Sequence, residues 1–303
     1  MTETRKLVRL IHNPGAGEGK DHTKKDMKSL IEEGGYKCDY VSSKGKPLKA
    51  IRPETEFIAI AGGDGTIRKT IMKLLDKKLK YKRPIALLPF GTANNLATSL
   101  GISTDAKETI SSWSSHNLKK FDVGQVLGMK EEVFFIESFG FGLFPRLMAD
   151  LKAKETDHVT TPEEEFKMAL EELLEITKTY PAVPVKVEVN DEVLELACIM
   201  VEVMNISSMG PHLVFSEKAD PGDGLFDLVL VREDQRDVMV NYINKLLKKQ
   251  KAKFPIAPIN AKKLTINWVG KDAHADDEIL KNYKPAELNI SLLDSLLEVV
   301  VSQ

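Results

Sequence analysis

Phe57-Ile58-Ala59-Ile60-Ala61-Gly62-Gly63-Asp64-Gly65-Thr66 decides how this chain is read. Five apolar residues without a polar break describe a strand buried on both faces, the kind found inside parallel sheets. The glycines that stop it permit φ > 0 and let backbone approach an anion without a Cβ in the way. A helix expected from Ile67 to about Lys78 would then offer unpaired N–H groups to anionic oxygens. Thr66 adds a hydroxyl. Asp64 repels phosphate, so it suits Mg²⁺, held directly or through water, or the placing of a reacting hydroxyl. The plain alternative is a strand-to-helix turn with a capping aspartate.

The pattern recurs on both sides of this segment. Leu7 to Ile11 is a short strand ending at Asn13-Pro14-Gly15-Ala16-Gly17, and a polar helix is expected from about Asp21 to Glu33, closed by Gly34-Gly35. Lys37 to Val41 reads as a strand, with Ser42 after it. Pro84 to Leu88 is another, followed by Pro89-Phe90-Gly91-Thr92-Ala93-Asn94-Asn95 and a helix through Ser99. Strands alternating with helices predict a parallel sheet whose ligands lie at the carboxyl ends of the strands. Thr92 can donate to a phosphate there, and Asn94 can bind substrate or brace the opposite loop. The P-loop and the Gly-x-Gly-x-x-Gly fingerprint are missing from these strand ends.

Past Asp122 the pattern changes. Phe121 to Leu127, Val133 to Phe139, Val185 to Val189, Val193 to Met204, Leu225 to Val231 and Leu264 to Trp268 read as strands. Asn190-Asp191 suits a two-residue hairpin turn. Two helices are expected among them, one opening Thr161-Pro162-Glu163-Glu164 and one from about Asp234 to Lys249. The division predicted is an α/β nucleotide-binding domain over residues 1–122 and a mainly β, sandwich-like domain over 123–303. The apolar run Leu296 to Val301 is expected to return to the first.

The formal net charge of −2 supplies no global basic field for nucleic acid. Cys38 and Cys198 are the two cysteines, too few for a disulfide framework or a zinc site, and suit a reduced intracellular compartment. Met1 to Lys6 does not resemble a signal peptide, and no window approaches the roughly 20 apolar residues of a bilayer span. The six histidines, at 12, 22, 116, 158, 212 and 274, show no metal-ligand spacing. His274 lies beside the carboxylates at 276–278 and could tune them, with a chance surface position as the plainer account. Lysines at 245–253 and 69–80 could meet anionic headgroups, with solvated helix surfaces as the plainer account.

NPGAG, GGDGT and PFGTANNLATSLGI, followed by FDVGQV, GFG at 140–142, DPGDGLFDLVLV and HADDE, resemble the diacylglycerol kinase catalytic-domain family. Its relatives include sphingosine kinases and, more distantly, NAD kinases and phosphofructokinases. The resemblance implies an ATP-dependent kinase acting on the hydroxyl of diacylglycerol or a related lipid alcohol, with Mg²⁺. It implies nucleotide contacts at Asn13, Ser42, Gly62, Gly63, Asp64, Gly65, Thr66, Gly91, Thr92 and Asn94. Asp276 and Glu278 become candidates for the base, with Asp64 beside them as a catalytic residue. A metal site is implied at Asp223 with backbone oxygens of Asp220 and Leu225, and Asp122 joins the Asp64–Mg²⁺ network. The plain reading of 220–224 is a turn. Lys69, Asn95, Asp277 and Ser208-Met209-Gly210-Pro211 depart from the family pattern. NAD kinase-like chemistry on a soluble nucleotide, or a catalytically weak nucleotide or lipid binder, are the alternatives. The expected partner is a lipid met peripherally at a membrane surface, in the cytoplasm or at the inner membrane face. A homodimer remains an open expectation.

Overall fold

The computed structural model describes residues 5–16, 23–80, 82–154, 161–281 and 283–302. Gly17, Asp21, His22 and His158 lie outside the described residues. The chain forms two units, Met1–Phe121 with Ser295–Gln303, and Asp122–Asp294.

The first unit contains β1 (Leu7–His12), α1 (Lys24–Glu33), β2 (Lys37–Ser42), β3 (Thr55–Gly62), α2 (Asp64–Asp76), β4 (Ile85–Pro89), α3 (Asn95–Ser99) and α4 (Ala106–Ser112). Its strands lie parallel in the order β4-β3-β1-β2, and Val299 near the chain end pairs in parallel with Ile85. The chain leaves β1 toward β2 and β3 toward β4, on opposite sides. The crevice outside the carboxyl ends of β1 and β3 is therefore a topological switch point. Alternation along β3 turns Phe57, Ala59 and Ala61 into one core with Met27 and Ile31 of α1 and Ile110 and Trp113 beyond it. Helix α2 packs on β3 through its buried face of Ile67, Ile71 and Leu74. Thr23 opens α1 with a capping box to Asp26, and Gly35 at φ 89° follows its end. Helix α2 begins at Asp64, three residues before the expected start, because Gly63 is its N-cap.

The second unit takes in β5 (Asn117–Leu127) from Asp122 onward, β6 (Val133–Phe135), β7 (Ser138–Gly142), α5 (Leu143–Ala153), α6 (Pro162–Thr179), β8 (Val183–Val189), β9 (Glu192–Met204), β10 (Ser208–Met209), β11 (Leu213–Val214), β12 (Phe226–Arg232), α7 (Arg236–Leu247), β13 (Ile259–Ala261), β14 (Lys263–Trp268), β15 (Ala273–Ala275), β16 (Glu278–Ile279) and β17 (Glu287–Val301) as far as Asp294. Pairing is antiparallel, in the order β16-β15-β7-β9-β8-β14-β17, with β12 also on β9. Strand β9 serves β8 along its first half, and β7 and β12 along its second. A long strand that changes partners joins the layers of a sandwich. Asn190 and Asp191, at φ 50° and 64°, turn β8 into β9. Thr161, Pro162 and Glu164 open α6 with the expected capping box. The single strand expected over Val133–Phe139 is instead β6 and β7, broken at Ile136-Glu137, where the backbone turns to other partners described below.

Among the described residues no helix is long and apolar enough to cross a bilayer. The near-neutral total charge conceals a division. The first unit carries 23 Lys and Arg against 14 Asp and Glu, and the second 20 against 31.

Candidate active site

Two glycines decide the geometry at the carboxyl ends of β3 and β4. A Cβ on Gly63 would lie 2.9 Å from Gly91 Cα, and one on Gly91 would lie 2.6 Å from Gly63 Cα. The two loops touch backbone to backbone, and only glycine permits that. The expectation that these glycines supply φ > 0 is corrected: Gly63 has φ −86°, and Gly62, Gly63, Gly65 and Gly91 all lie outside the left-handed region. Close approach alone requires them. Gly62 follows the same rule, since a Cβ there would strike Thr66 at 2.7 Å.

Polar side chains lock this contact. Asp64 Oδ2 accepts the Asn95 N–H at 2.9 Å and Oδ1 the Leu96 N–H at 3.3 Å, so the carboxylate of α2 caps α3. Asn94, buried and at φ 51°, accepts the Gly91 N–H at 2.8 Å and donates to the Gly91 carbonyl at 2.6 Å. Its amide thus closes its own loop and does not brace the opposite one. Asn13, after β1, donates to Thr66 Oγ1 at 3.1 Å. Three strand-end loops are thereby joined around the first turn of α2. Ser42 pairs with His12 one strand further out and accepts the Lys44 N–H at 3.4 Å. Thr92 and Lys69 are exposed. A cleft of about 510 Å³ elsewhere in this unit, lined by residues that include Lys46, Lys49, Lys73 and Lys77, contains none of these loop residues.

In the second unit the HADDE segment is a hairpin. Ala275 pairs with Glu278 across the two-residue turn Asp276-Asp277. Asp276 takes the left-handed place at φ 51°, and Asp277 does not. The side chain of Asp277 therefore adds no backbone strain where the family has glycine. The structure separates the two base candidates. Asp276 is buried, and Oδ1 accepts the N–H groups of Ile136 at 3.0 Å, Glu137 at 2.8 Å and Ser138 at 3.2 Å. These are the donors released by the break between β6 and β7. Asp276 is thus occupied as a structural anchor, while Glu278 is exposed.

The proposed metal segment closes on itself. Asp220 Oδ1 accepts the Gly222 N–H, Asp223 Oδ1 accepts the Leu225 N–H at 2.9 Å, and the Asp220 carbonyl accepts the Asp223 N–H at 3.2 Å. Asp122, fully buried, accepts the Gly224 N–H at 2.9 Å. Among the described residues no three His, Cys, Asp or Glu side chains converge as metal ligands. Residues 220–225 form a turn in which Asp220 and Asp223 each accept a backbone N–H two residues on.

The sequence reading named His274 but missed its burial and its partner, Glu202. His274 is fully buried, not on the surface, and its Nε2 lies 3.1 Å from each carboxylate oxygen of Glu202, also fully buried. Burial disfavours the imidazolium, but the Glu202 charge, its hydrogen bond and the Asp276 carbonyl outweigh it and raise the His274 pKa above 6.5. Burial raises the Glu202 carboxyl from 4.5, with His274 pulling the other way. Together these directions describe one proton held between the two groups. The signal was a lone carboxylate inside the apolar run Ile199 to Met204.

Comparison with known proteins agrees with this architecture. Residues 7–126 match the diacylglycerol kinase catalytic domain, and residues 149–301 match the YegS C-terminal NAD kinase beta sandwich-like domain. A diacylglycerol kinase of Staphylococcus saprophyticus is 23% identical over 237 residues, covering 76% of this chain and 74% of that protein. The crystal structure of a diacylglycerol kinase from Bacillus anthracis str. Sterne superposes with a TM-score of 0.71 at 21% identity, over 99% of this chain and 97% of that one. Yeast NADH kinase complexed with NADH shares the fold at a TM-score of 0.50 and 10% identity, over 99% and 83%. With both matched segments in order along one chain, this protein belongs to the diacylglycerol kinase catalytic-domain family.

Proposed function

We propose that this protein is a lipid kinase that transfers the γ-phosphoryl group of MgATP to a hydroxyl of diacylglycerol or a related lipid alcohol. The observation that carries the reading is the glycine-to-glycine contact of Gly63 and Gly91 at the switch point, beside the N-terminus of α2. The first-turn N–H groups of a helix have no intrahelical acceptor and attract phosphate. Asp64, Asn94 and Asn13 keep these loops in place without help from a ligand, which favours electrostatic stabilisation by groups already oriented. Thr66 and Thr92 supply hydroxyl donors. Mg²⁺ enters with the nucleotide as part of the substrate. In the second unit Glu278 is the base that accepts the proton of the attacking hydroxyl, while Asp276 holds the hairpin that carries it. The family's relatives named as diacylglycerol kinases support a lipid acceptor.

Purified protein given radiolabelled ATP and diacylglycerol in mixed micelles should form a labelled phospholipid, with NAD left unmodified in a parallel reaction. Glu278→Gln should abolish lipid labelling and leave the melting temperature unchanged. Phosphorylation of NAD with no lipid product would overturn the reading.

A further inference from the structure

Three neighbouring strands bring His274 of β15, Gly140 of β7 and Glu202 of β9 to one level: His274 pairs with Gly140, and Gly140 with Glu202. Gly140 is the gap that lets the outer two meet. A Cβ on it would lie 2.1 Å from Glu202 Oε2 and 2.3 Å from the carboxylate carbon. Across that gap Glu202 reaches His274 Nε2, and the other ring nitrogen, Nδ1, lies 2.8 Å from the backbone carbonyl of Asp276. A carbonyl only accepts, so Nδ1 carries a proton and donates it into the Asp276-Asp277 turn.

Stability alone is a poor reason for this arrangement. A buried ion pair contributes little net stability compared with apolar side chains of the same volume. What the pair determines is a position. Asp276 is restrained at each of its polar groups: its carboxylate by the N–H groups of Ile136, Glu137 and Ser138, its own N–H by the Ser138 carbonyl at 2.8 Å, and its carbonyl by His274. The first two restraints come from Ile136 and Glu137, between β6 and β7, and from Ser138 at the start of β7. The third comes from the Glu202–His274 pair and acts on the side of the turn that leads to Glu278.

We propose that Glu202 and His274, seated over Gly140, are positioning residues for phosphoryl transfer: they hold the Asp276 carbonyl and thereby aim Glu278. This rests on the assignment of Glu278 as the base. The ring geometry supplies a test in which activity and stability move in opposite directions. His274→Asn keeps a donor where Nδ1 was and leaves Glu202 without its partner. His274→Gln keeps a partner for Glu202 and loses the donor to the Asp276 carbonyl. The melting temperature should therefore be higher in His274→Gln, and kcat higher in His274→Asn. His274→Gln should lower kcat at least tenfold and His274→Asn less than about threefold, with KM for ATP within about twofold in both, since a displacement of about 1 Å at a reacting group costs up to 10²-fold.

Should the unpaired carboxylate keep His274→Asn from folding, the same two substitutions are compared in a Glu202→Gln background, where no charge is buried and the same order of kcat is expected. A kcat that follows the melting temperature, or stays at the wild-type value in both variants, overturns the proposal. Glu278→Gln run beside them separates the two assignments: full turnover by that variant removes the base itself, whereas its inactivity together with unaffected His274 variants removes only the positioning role.

Discussion

Adding one methyl group at Gly91 would test the cradle most directly. In Gly91→Ala the new Cβ would sit 2.6 Å from Gly63 Cα and 2.9 Å from Asn94 Oδ1. Non-bonded carbons rest about 3.5–4.0 Å apart, so the loops after β3 and β4 must part by roughly 1 Å. Neither obstacle can swing aside cheaply. One is main chain, and the other is a buried amide held by bonds of 2.8 and 2.6 Å. Gly91 lies outside the left-handed region, so alanine meets no conformational penalty and the effect isolates the contact. Overpacking of this kind costs about 1–3 kcal/mol of stability. A shift of about 1 Å in groups that orient a substrate costs about 100-fold in rate. We expect kcat/KM for ATP to fall about 100-fold while the protein remains folded, read by initial rates of lipid phosphorylation with thermal melting alongside. Gly15→Ala is the matched control. Its Cβ would meet only Asn13 Oδ1, at an ordinary 3.6 Å, and activity should be unchanged. A Gly91→Ala enzyme with the wild-type kcat/KM would refute the claim that this contact shapes the nucleotide site.

Three other outcomes follow from the structure. Asp276→Ala strands three N–H groups that the carboxylate now satisfies; at about 1–3 kcal/mol for each buried unsatisfied group, it should unfold the hairpin and lower the melting temperature, and a variant that melts like wild type would contradict the anchor role. Arg9 is buried, paired with Asp39 at 2.7 Å and bonded to the carbonyls of Pro47, Lys49 and Ala50; Arg9→Met should cost about 3 kcal/mol in chemical denaturation and raise proteolysis of the loop after β2, and cleavage unchanged from wild type would count against it. The His274 pKa is raised from 6.5, so its contribution to stability is full below pH 6.5 and is lost as pH rises through the folded-state value; Glu202, raised by burial, acts in the same sense. The melting temperature should therefore decline on the alkaline side in wild type and decline less in Glu202→Gln/His274→Asn, and parallel curves in calorimetry would rule this out.

Local chemistry made much of the fold legible. The unbroken apolar run of β3, the capping box Thr161-Pro162-Glu163-Glu164 and the Asn190-Asp191 turn each act within a few residues, and each forms the expected element. The order of glycine-bearing loops marked the strand ends of the first unit correctly. What stayed hidden depends on partners distant in the chain. Gly63 and Gly91 require no side chain because they face each other across 28 residues. The strand expected over Val133–Phe139 breaks because a carboxylate 140 residues away collects its N–H groups. A chance surface position was the plainer account of His274 because nothing adjacent in sequence announces Glu202. Asp276 and Glu278, two residues apart and chemically alike, differ in burial, and that difference is set by tertiary donors.

The separation of charge between the two units has its own consequence. A total of −2 is the sum of a formal +9 on Met1–Phe121 with Ser295–Gln303 and −11 on Asp122–Asp294. Taken singly, the first unit attracts anions and the second repels them, and each field reaches only about 8 Å at physiological ionic strength. Any salt dependence measured on the whole protein is therefore a difference between two opposed contributions, which a total of −2 conceals.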